Sequence, residues 1–65
     1  MDYKEVIIKK RTKLGYSQNK LAQLVGISQP FMNEIEKGRK KPSLDILLRL
    51  CEVLNLEFLA DRDAE

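Results

Sequence analysis

The sequence predicts a small all-α domain of four to five helices, and three observations lead to this fold class. Apolar residues recur at intervals of three and four along most of the 65 residues, which is the spacing of helices with one buried face. Asp or Ser precedes each apolar stretch and Gly or Asn follows it, as expected at helix ends. A chain of this length buries only about 60% of the surface that its unfolded form exposes. We therefore expect a single domain over residues 1–65 with modest stability.

The first two helices are bounded by these capping residues. Helix 1 is predicted between Asp2 and Gly15, and the apolar residues near one of its faces are Tyr3, Ile7 and Leu14. Helix 2, with the sequence QNKLAQLV, follows Ser17 and ends at Gly26. Its predicted buried stripe consists of Leu21, Ala22 and Val25.

Helix 3 is predicted over residues 28–37, between Ser28 and Gly38, with Met32 and Ile35 facing inward. Pro30 disfavours a helical conformation in the residue before it, so we expect this helix to start one residue late. Ser43 caps a fourth helix, LDILLRLCEVL. The predicted apolar face of helix 4 consists of Leu44, Leu47, Leu48, Cys51 and Leu54.

Residue usage argues against several function classes. One cysteine and no histidine allow neither a disulfide within the chain nor a Cys/His zinc site, and we expect no cofactor. No nucleophile–base constellation or phosphate-binding loop can be identified, so an enzyme is the least favoured class. No apolar run approaches the ~20 residues that span a bilayer. We expect a cytoplasmic protein that does not contact membranes.

Charge is distributed unevenly along the chain. Residues 1–42 carry ten Lys/Arg and four Asp/Glu, whereas residues 43–65 carry two Lys/Arg and six Asp/Glu. This asymmetry is typical of a protein with one end that meets a polyanion, although charged residues also serve solubility.

Helices 2 and 3, joined by a short turn that contains Gly26, form a helix-turn-helix over residues 17–37. The segment GYSQNKLAQLVGISQPFMNEIEKGRKKPSLDILLRLCEVLNL resembles the DNA-binding domain of Xre/Cro-type repressors. Its characteristic features are SQ-x-x-LA-x-x-x-G-[IV]-S-Q and I-x-x-[IM]-E-x-G-x-x-x-P-S-L, and the similarity covers roughly residues 5–56. The resemblance implies a compact lambda-repressor-like fold whose third helix enters the major groove of double-stranded DNA.

Carried over position by position, the resemblance assigns base reading to Ser28, Gln29, Pro30, Asn33 and Glu34. Gln29 is the leading candidate because its amide can bind adenine N6 and N7 together, and Asn33 has the same capacity. The alternative for both is a polar residue exposed to solvent. Glu34 departs from expectation, since phosphates repel a carboxylate; it either accepts from cytosine N4 or faces solvent. Pro30 departs from the polar or small residue that is usual in the family.

The resemblance also implies contacts with the DNA backbone, from Ser17, Gln18, Phe31, Lys37, Arg39, Lys40 and Lys41. Ser17 is primarily a helix cap, and Gln18 is expected to brace Gln29. Phe31 has two alternatives, which are contact with thymine methyl groups and partial burial beside helix 2. Arg11 and Glu36 match a family pair that links helix 1 to helix 3 as a structural ion pair.

The C-terminal segment, residues 55–65, is predicted to mediate dimerisation. Apolar residues alternate in LNLEFLADRDAE, which favours a short strand over a fifth helix. The predicted interface contains Leu56, Phe58 and Leu59, because an isolated strand needs a partner such as its copy in a second chain. This tail resembles that of antitoxin repressors, which have a toxin as a protein partner.

The leading hypothesis is therefore a sequence-specific transcriptional repressor that binds a palindromic operator as a homodimer. An antitoxin and a restriction-modification controller are alternatives within the same class. A protein-interaction module without DNA binding is the alternative from another class; Pro30 and Glu34 favour it, while Gln29, Asn33 and the cations of residues 37–41 oppose it.

Overall fold

The computed structural model describes residues 2–56, which form four α-helices: α1 (Tyr3–Leu14), α2 (Gln18–Val25), α3 (Gln29–Lys37) and α4 (Leu44–Leu54). Within residues 2–56 all of the regular structure is helical, as the sequence predicts. No helix within residues 2–56 combines the length and the apolar character needed to cross a membrane. The predicted C-terminal strand or fifth helix, with Phe58 and Leu59, lies outside the described residues.

Each helix begins at a side-chain cap, as the sequence predicts. Asp2, Ser17, Ser28 and Ser43 have extended backbones, and their side chains accept hydrogen bonds from N–H groups in the first turn of the helix that follows. These bonds satisfy donors that have no partner within the helix. Local sequence therefore determines where all four described helices start.

With Ser28 as its cap, α3 would start at Gln29 without any delay, so the expected delay of one residue by Pro30 is wrong. The helix begins at Gln29, directly after Ser28, and Pro30 lies in its first turn. The Ser28 hydroxyl accepts from the Phe31 N–H at 3.2 Å, and the Ser28 carbonyl accepts from the Met32 N–H at 3.0 Å. Because no helical hydrogen bond at this position needs a donor from Pro30, the cap outweighs the restriction that the proline places on Gln29.

Gly26 forms the corner between α2 and α3. Its φ of 90° lies in the left-handed region, which residues with a Cβ avoid. The N–H groups of Gly26 and Ile27 both donate to the Ala22 carbonyl, at 2.8 and 3.0 Å. Arg49 of α4 adds a bond from Nη1 to the Val25 carbonyl at 3.3 Å. These contacts close the end of α2 and direct the chain into α3.

The core lies among all four helices, with α2 packed closely on α3. The buried apolar residues are Ile7, Leu21, Ala22, Val25, Met32, Ile35, Leu50 and Leu54. Burying a large aliphatic side chain contributes about 1.5–3 kcal/mol. The core therefore holds α3 against α1 and α2 through Met32 and Ile35, which leaves the opposite side of α3 facing outward.

The predicted apolar faces of helices 1 and 4 are partly wrong. Leu44 and Leu48 are 71% and 45% exposed, whereas Leu50 and Leu54 are fully buried. Leu14 is also exposed. Apolar residues surround most of α4, so the positions of α1 and α2, rather than periodicity, decide which leucines are covered.

Candidate nucleic-acid interface

The cap and the first two turns of α3 contain the residues to which the resemblance assigns base reading. Ser28 and Pro30 are exposed, and the half-buried side chains are those of Gln29, Asn33 and Glu34. Asn33 lies one turn after Gln29, so both amides occupy the same side of the helix. This part of the surface thus carries two groups that each have a donor and an acceptor for hydrogen bonds.

Gln29 is the last member of a chain of four hydrogen-bonded side chains, which we call the polar relay: Arg11, Glu36, Gln18 and Gln29. Arg11 donates to Glu36 through Nε at 2.8 Å and Nη2 at 3.0 Å. Gln18 Nε2 donates to Glu36 Oε1 at 3.0 Å, and Gln29 Nε2 donates to Gln18 Oε1 at 2.5 Å. The relay connects α1, α2 and α3.

The Arg11–Glu36 ion pair at the base of the relay is largely shielded from solvent. Only 17% of the Arg11 side chain and 5% of the Glu36 side chain are exposed. Arg11 Nη1 also donates to the Tyr16 carbonyl at 3.1 Å, just before α2. The bidentate pair links α1 to α3, and the bond to Tyr16 joins α1 to the residues just before α2.

Glu34 is paired with a cation. Arg39 Nη1 lies 3.3 Å from Glu34 Oε2, and the Arg39 N–H donates to the Glu34 carbonyl at 2.9 Å. The pair is exposed enough for water to screen it, so its contribution to stability is small. Its local effect is to offset the negative charge of Glu34 on the outward side of α3.

Cations follow α3 directly. The exposed members of this group are Lys37, Arg39, Lys40 and Lys41.

The hydroxyl of Ser17 caps α2 by accepting from the Lys20 N–H at 2.9 Å. Phe31 is half-buried and packs against the core, which favours the burial alternative for its ring.

Two pKa shifts occur at the start of α1, and a third occurs in α4. The hydrogen bond from the Lys4 N–H lowers the pKa of Asp2, and the hydrogen bond with Asp2 raises the pKa of Lys4. Burial raises the pKa of the Cys51 thiol. A raised thiol pKa reduces the thiolate fraction, so Cys51 is a poor nucleophile.

Two features of this region were not predicted from the sequence. The bond from Gln18 to Glu36 joins residues 18 positions apart, and no local pattern indicates such a contact. The bond from Arg49 to the end of α2 joins residues 24 positions apart. In the sequence, the only indication of the contact between Arg49 and the end of α2 is that this cation lies next to an otherwise apolar face of α4.

Comparison with known proteins identifies the family. A model of the helix-turn-helix family matches residues 7–59, which is most of the chain. The protein belongs to this Xre/Cro-type helix-turn-helix family, whose members bind DNA and regulate transcription.

The chain is also similar to regulators from distant microorganisms. It is 38% identical over 48 residues to the uncharacterized HTH-type transcriptional regulator YgzD of Bacillus subtilis, and the match covers 74% of the chain and 73% of YgzD. It is 46% identical over 48 residues to an uncharacterized HTH-type transcriptional regulator of Haemophilus influenzae, covering 74% of the chain and 49% of that protein. A protein from Thermococcus kodakarensis is 40% identical over 57 residues, but the chain spans only 18% of its length. No solved structure gave a significant match.

Proposed function

We propose that this protein is a sequence-specific transcriptional repressor that acts in the cytoplasm, on DNA of the nucleoid, as a homodimer. In this proposal residues 1–65 form one DNA-binding domain, and α3 lies in the major groove of a palindromic operator. The observation that carries the proposal is that Gln29 and Asn33, both only half-buried, lie one turn apart near the start of a helix that is followed by exposed cations.

Base reading is assigned to Ser28, Gln29, Pro30, Asn33 and Glu34. Gln29 is the principal reader, because an amide braced from one side can still offer an acceptor and a donor to adenine. The pairing of Glu34 with Arg39 supports its presence near phosphates, since the pair carries no net charge. Pro30 is exposed, and its ring is suited to contact with a thymine methyl group.

Phosphate binding is assigned to Ser17, Gln18, Phe31, Lys37, Arg39, Lys40 and Lys41. The lysines flank the end of α3, where they would neutralise the DNA backbone, and Arg39, whose charge Glu34 offsets, would contribute a hydrogen-bond donor. Each neutralised phosphate adds roughly −0.9 to the slope of log K against log salt concentration. For Phe31, packing against the core favours partial burial, so it is the weakest member of this group.

Dimerisation is supported by the exposed side of α4. Leu44, Leu48 and Cys51 share one face by their spacing, and Leu48, Cys51 and Leu56 line one shallow groove. In this proposal Phe58 and Leu59, which follow Leu56 in the sequence, also belong to the interface. Sedimentation equilibrium of the full chain tests this part: the wild type should be a dimer, and Leu48→Glu should shift it toward monomer. A monomeric wild type at high protein concentration would contradict it.

An antitoxin is the alternative role for the same DNA-binding protein. It would add a toxin as a second protein partner, bound through the alternating apolar residues near the C-terminus. Copurification of a toxin encoded next to this protein would favour that role over a repressor that acts alone.

Selection of bound sequences from random duplex DNA, at two salt concentrations, tests the main proposal. It should recover a palindrome whose half-sites lie ~34 Å apart. Gln29→Ala should relax the preference at one base position by about 1–3 kcal/mol, whereas Lys40→Ala should weaken binding to all sequences alike and reduce the salt dependence. Recovery of sequences without a common motif would contradict the proposal, and no binding at low salt would favour a protein-interaction module.

A further inference from the structure

The polar relay has a fixed direction. A carboxylate accepts hydrogen bonds but cannot donate them, so Gln18 must turn its NH2 group toward Glu36. The oxygen of the same planar amide then faces the other way, toward Gln29. That oxygen can only accept, and Gln29 must therefore present its own NH2 group to Gln18, as observed.

This direction determines what Gln29 offers outward. One Nε2 hydrogen is used by Gln18, which leaves Oε1 and the second hydrogen on Nε2 available. An acceptor next to a donor matches adenine, which presents an N6 donor beside the N7 acceptor. If the amide were turned around, Oε1 would accept from Gln18 and both hydrogens on Nε2 would be free. Two free N–H groups can serve the two acceptors of guanine, N7 and O6, so the reversed amide would no longer discriminate against guanine.

We propose that Glu36 and Arg11 are positioning residues for base selection. Arg11 holds the Glu36 carboxylate in place, the carboxylate orients Gln18, and Gln18 orients Gln29 so that it selects adenine over guanine. This inference rests on the proposed function, because it assumes that Gln29 faces a base. It goes beyond the role of the Arg11–Glu36 pair as a structural link between helices.

Two substitutions interrupt the relay at different places. Glu36→Gln preserves shape but replaces an obligatory acceptor with a group that can accept or donate, so the direction is lost. Gln18→Met removes the link to Gln29 and leaves the Arg11–Glu36 ion pair intact. If Glu36→Gln fails to fold, Gln18→Met decides the question alone.

The measurement is the ratio of the full chain's affinities for two selected duplexes that differ only by adenine or guanine at the position read by Gln29. In the wild type the ratio should be roughly 5- to 150-fold in favour of adenine. It should fall toward one in Glu36→Gln and in Gln18→Met. The control, Lys40→Ala, should weaken both duplexes by the same factor and leave the ratio unchanged. A variant that is partly unfolded loses apparent affinity for both duplexes by the same factor. A changed ratio of the two affinities therefore reports the positioning of Gln29 and not the stability of the variant.

A second readout needs no DNA. In amide nuclear magnetic resonance spectra of the free protein, the side-chain NH2 group of Gln29 should show a shifted, slowly exchanging signal. In Gln18→Met this signal should move to the position of a solvated glutamine, while the backbone signals of the core remain in place.

The outcomes separate this inference from the proposed function. If folded Glu36→Gln and Gln18→Met keep the wild-type ratio, the inference is overturned and the proposed function stands. If the wild type shows no base preference at any position, both are overturned.

Discussion

Replacing Gly26 with alanine tests whether the corner between α2 and α3 requires glycine. Gly26 has a φ of 90°, and a Cβ added there would lie 3.3 Å from Nη1 of Arg49. That nitrogen donates to the Val25 carbonyl at the end of α2. The substitution therefore introduces backbone strain and displaces a side chain that closes the helix.

The magnitude follows from these two effects. A residue with a Cβ in the left-handed conformation costs about 1–2 kcal/mol, and alanine offsets about 0.4–1 kcal/mol of this by restricting the unfolded chain. Displacing Arg49 adds up to about 1 kcal/mol, which is below the usual value for a hydrogen bond to a charged group because half of the Arg49 side chain is exposed. With each contribution near the middle of its range, we expect Gly26→Ala to lower the free energy of unfolding by about 1.3 kcal/mol, and by no more than about 2.6 kcal/mol.

Gly15→Ala is the matched control. Gly15 has a φ of 80°, and an added Cβ would meet nothing within 4 Å, so only the strain remains. Urea unfolding followed by circular dichroism should place Gly15→Ala between the wild type and Gly26→Ala. In thermal unfolding, each 1 kcal/mol should lower Tm by about 4–8 °C for a domain of this size. A Gly26→Ala protein as stable as the wild type would refute the reasoning about the corner, and one equal to Gly15→Ala would refute the contribution of Arg49.

Three further predictions concern the core, the ion pair and the cysteine. Arg11→Met should destabilise the protein by about 3 kcal/mol in urea unfolding, because it leaves Glu36 buried without its charged partner. The double variant Arg11→Met/Glu36→Met should recover most of this loss. A double variant no more stable than the single one would show that the ion pair itself stabilises the fold. Ile35→Ala should lower the free energy of unfolding by about 2–5 kcal/mol through the cavity that it leaves, whereas Leu44→Ala on the exposed side of α4 should lower it far less. Equal losses of stability in urea unfolding would contradict the observation that Ile35 is buried and Leu44 is exposed. Cys51 should react with iodoacetamide more slowly than free cysteine at neutral pH, because burial raises its pKa and lowers its thiolate fraction. Its rate should rise with pH and reach that of free cysteine in denaturant, and a native protein that reacts as fast as the free amino acid would count against this pKa shift.

The helix limits could be predicted from the sequence because their causes are local. Ser17, Ser28 and Ser43 cap helices within three residues of their own position, and Gly26 ends α2 by its own backbone conformation. The one error, the late start of α3, came from giving the restriction by Pro30 more weight than the cap by Ser28. Both effects are local and they oppose each other at Gln29, so only the structure could decide between them.

The buried face of α4 and the polar relay could not be predicted from local pattern. Apolar residues occupy nearly every side of α4, so the contacts made by α1 and α2 decide that Leu50 is covered and Leu48 is exposed. Gln18 and Glu36 meet only after α2 and α3 have packed. The resemblance to Xre/Cro-type repressors supplied the Arg11–Glu36 pair and placed Gln18 beside Gln29, but it did not supply the connection between the two.

The most direct test of the central claim, that α3 presents Gln29 to an adenine, replaces N7 of that adenine with a carbon. Binding of the wild type to the selected duplex should weaken by roughly 2- to 10-fold, which corresponds to one lost hydrogen bond. Gln29→Ala should bind the altered and unaltered duplexes equally, because it makes no bond to N7. An equal weakening in both proteins, or an unchanged affinity of the wild type, would contradict the claim.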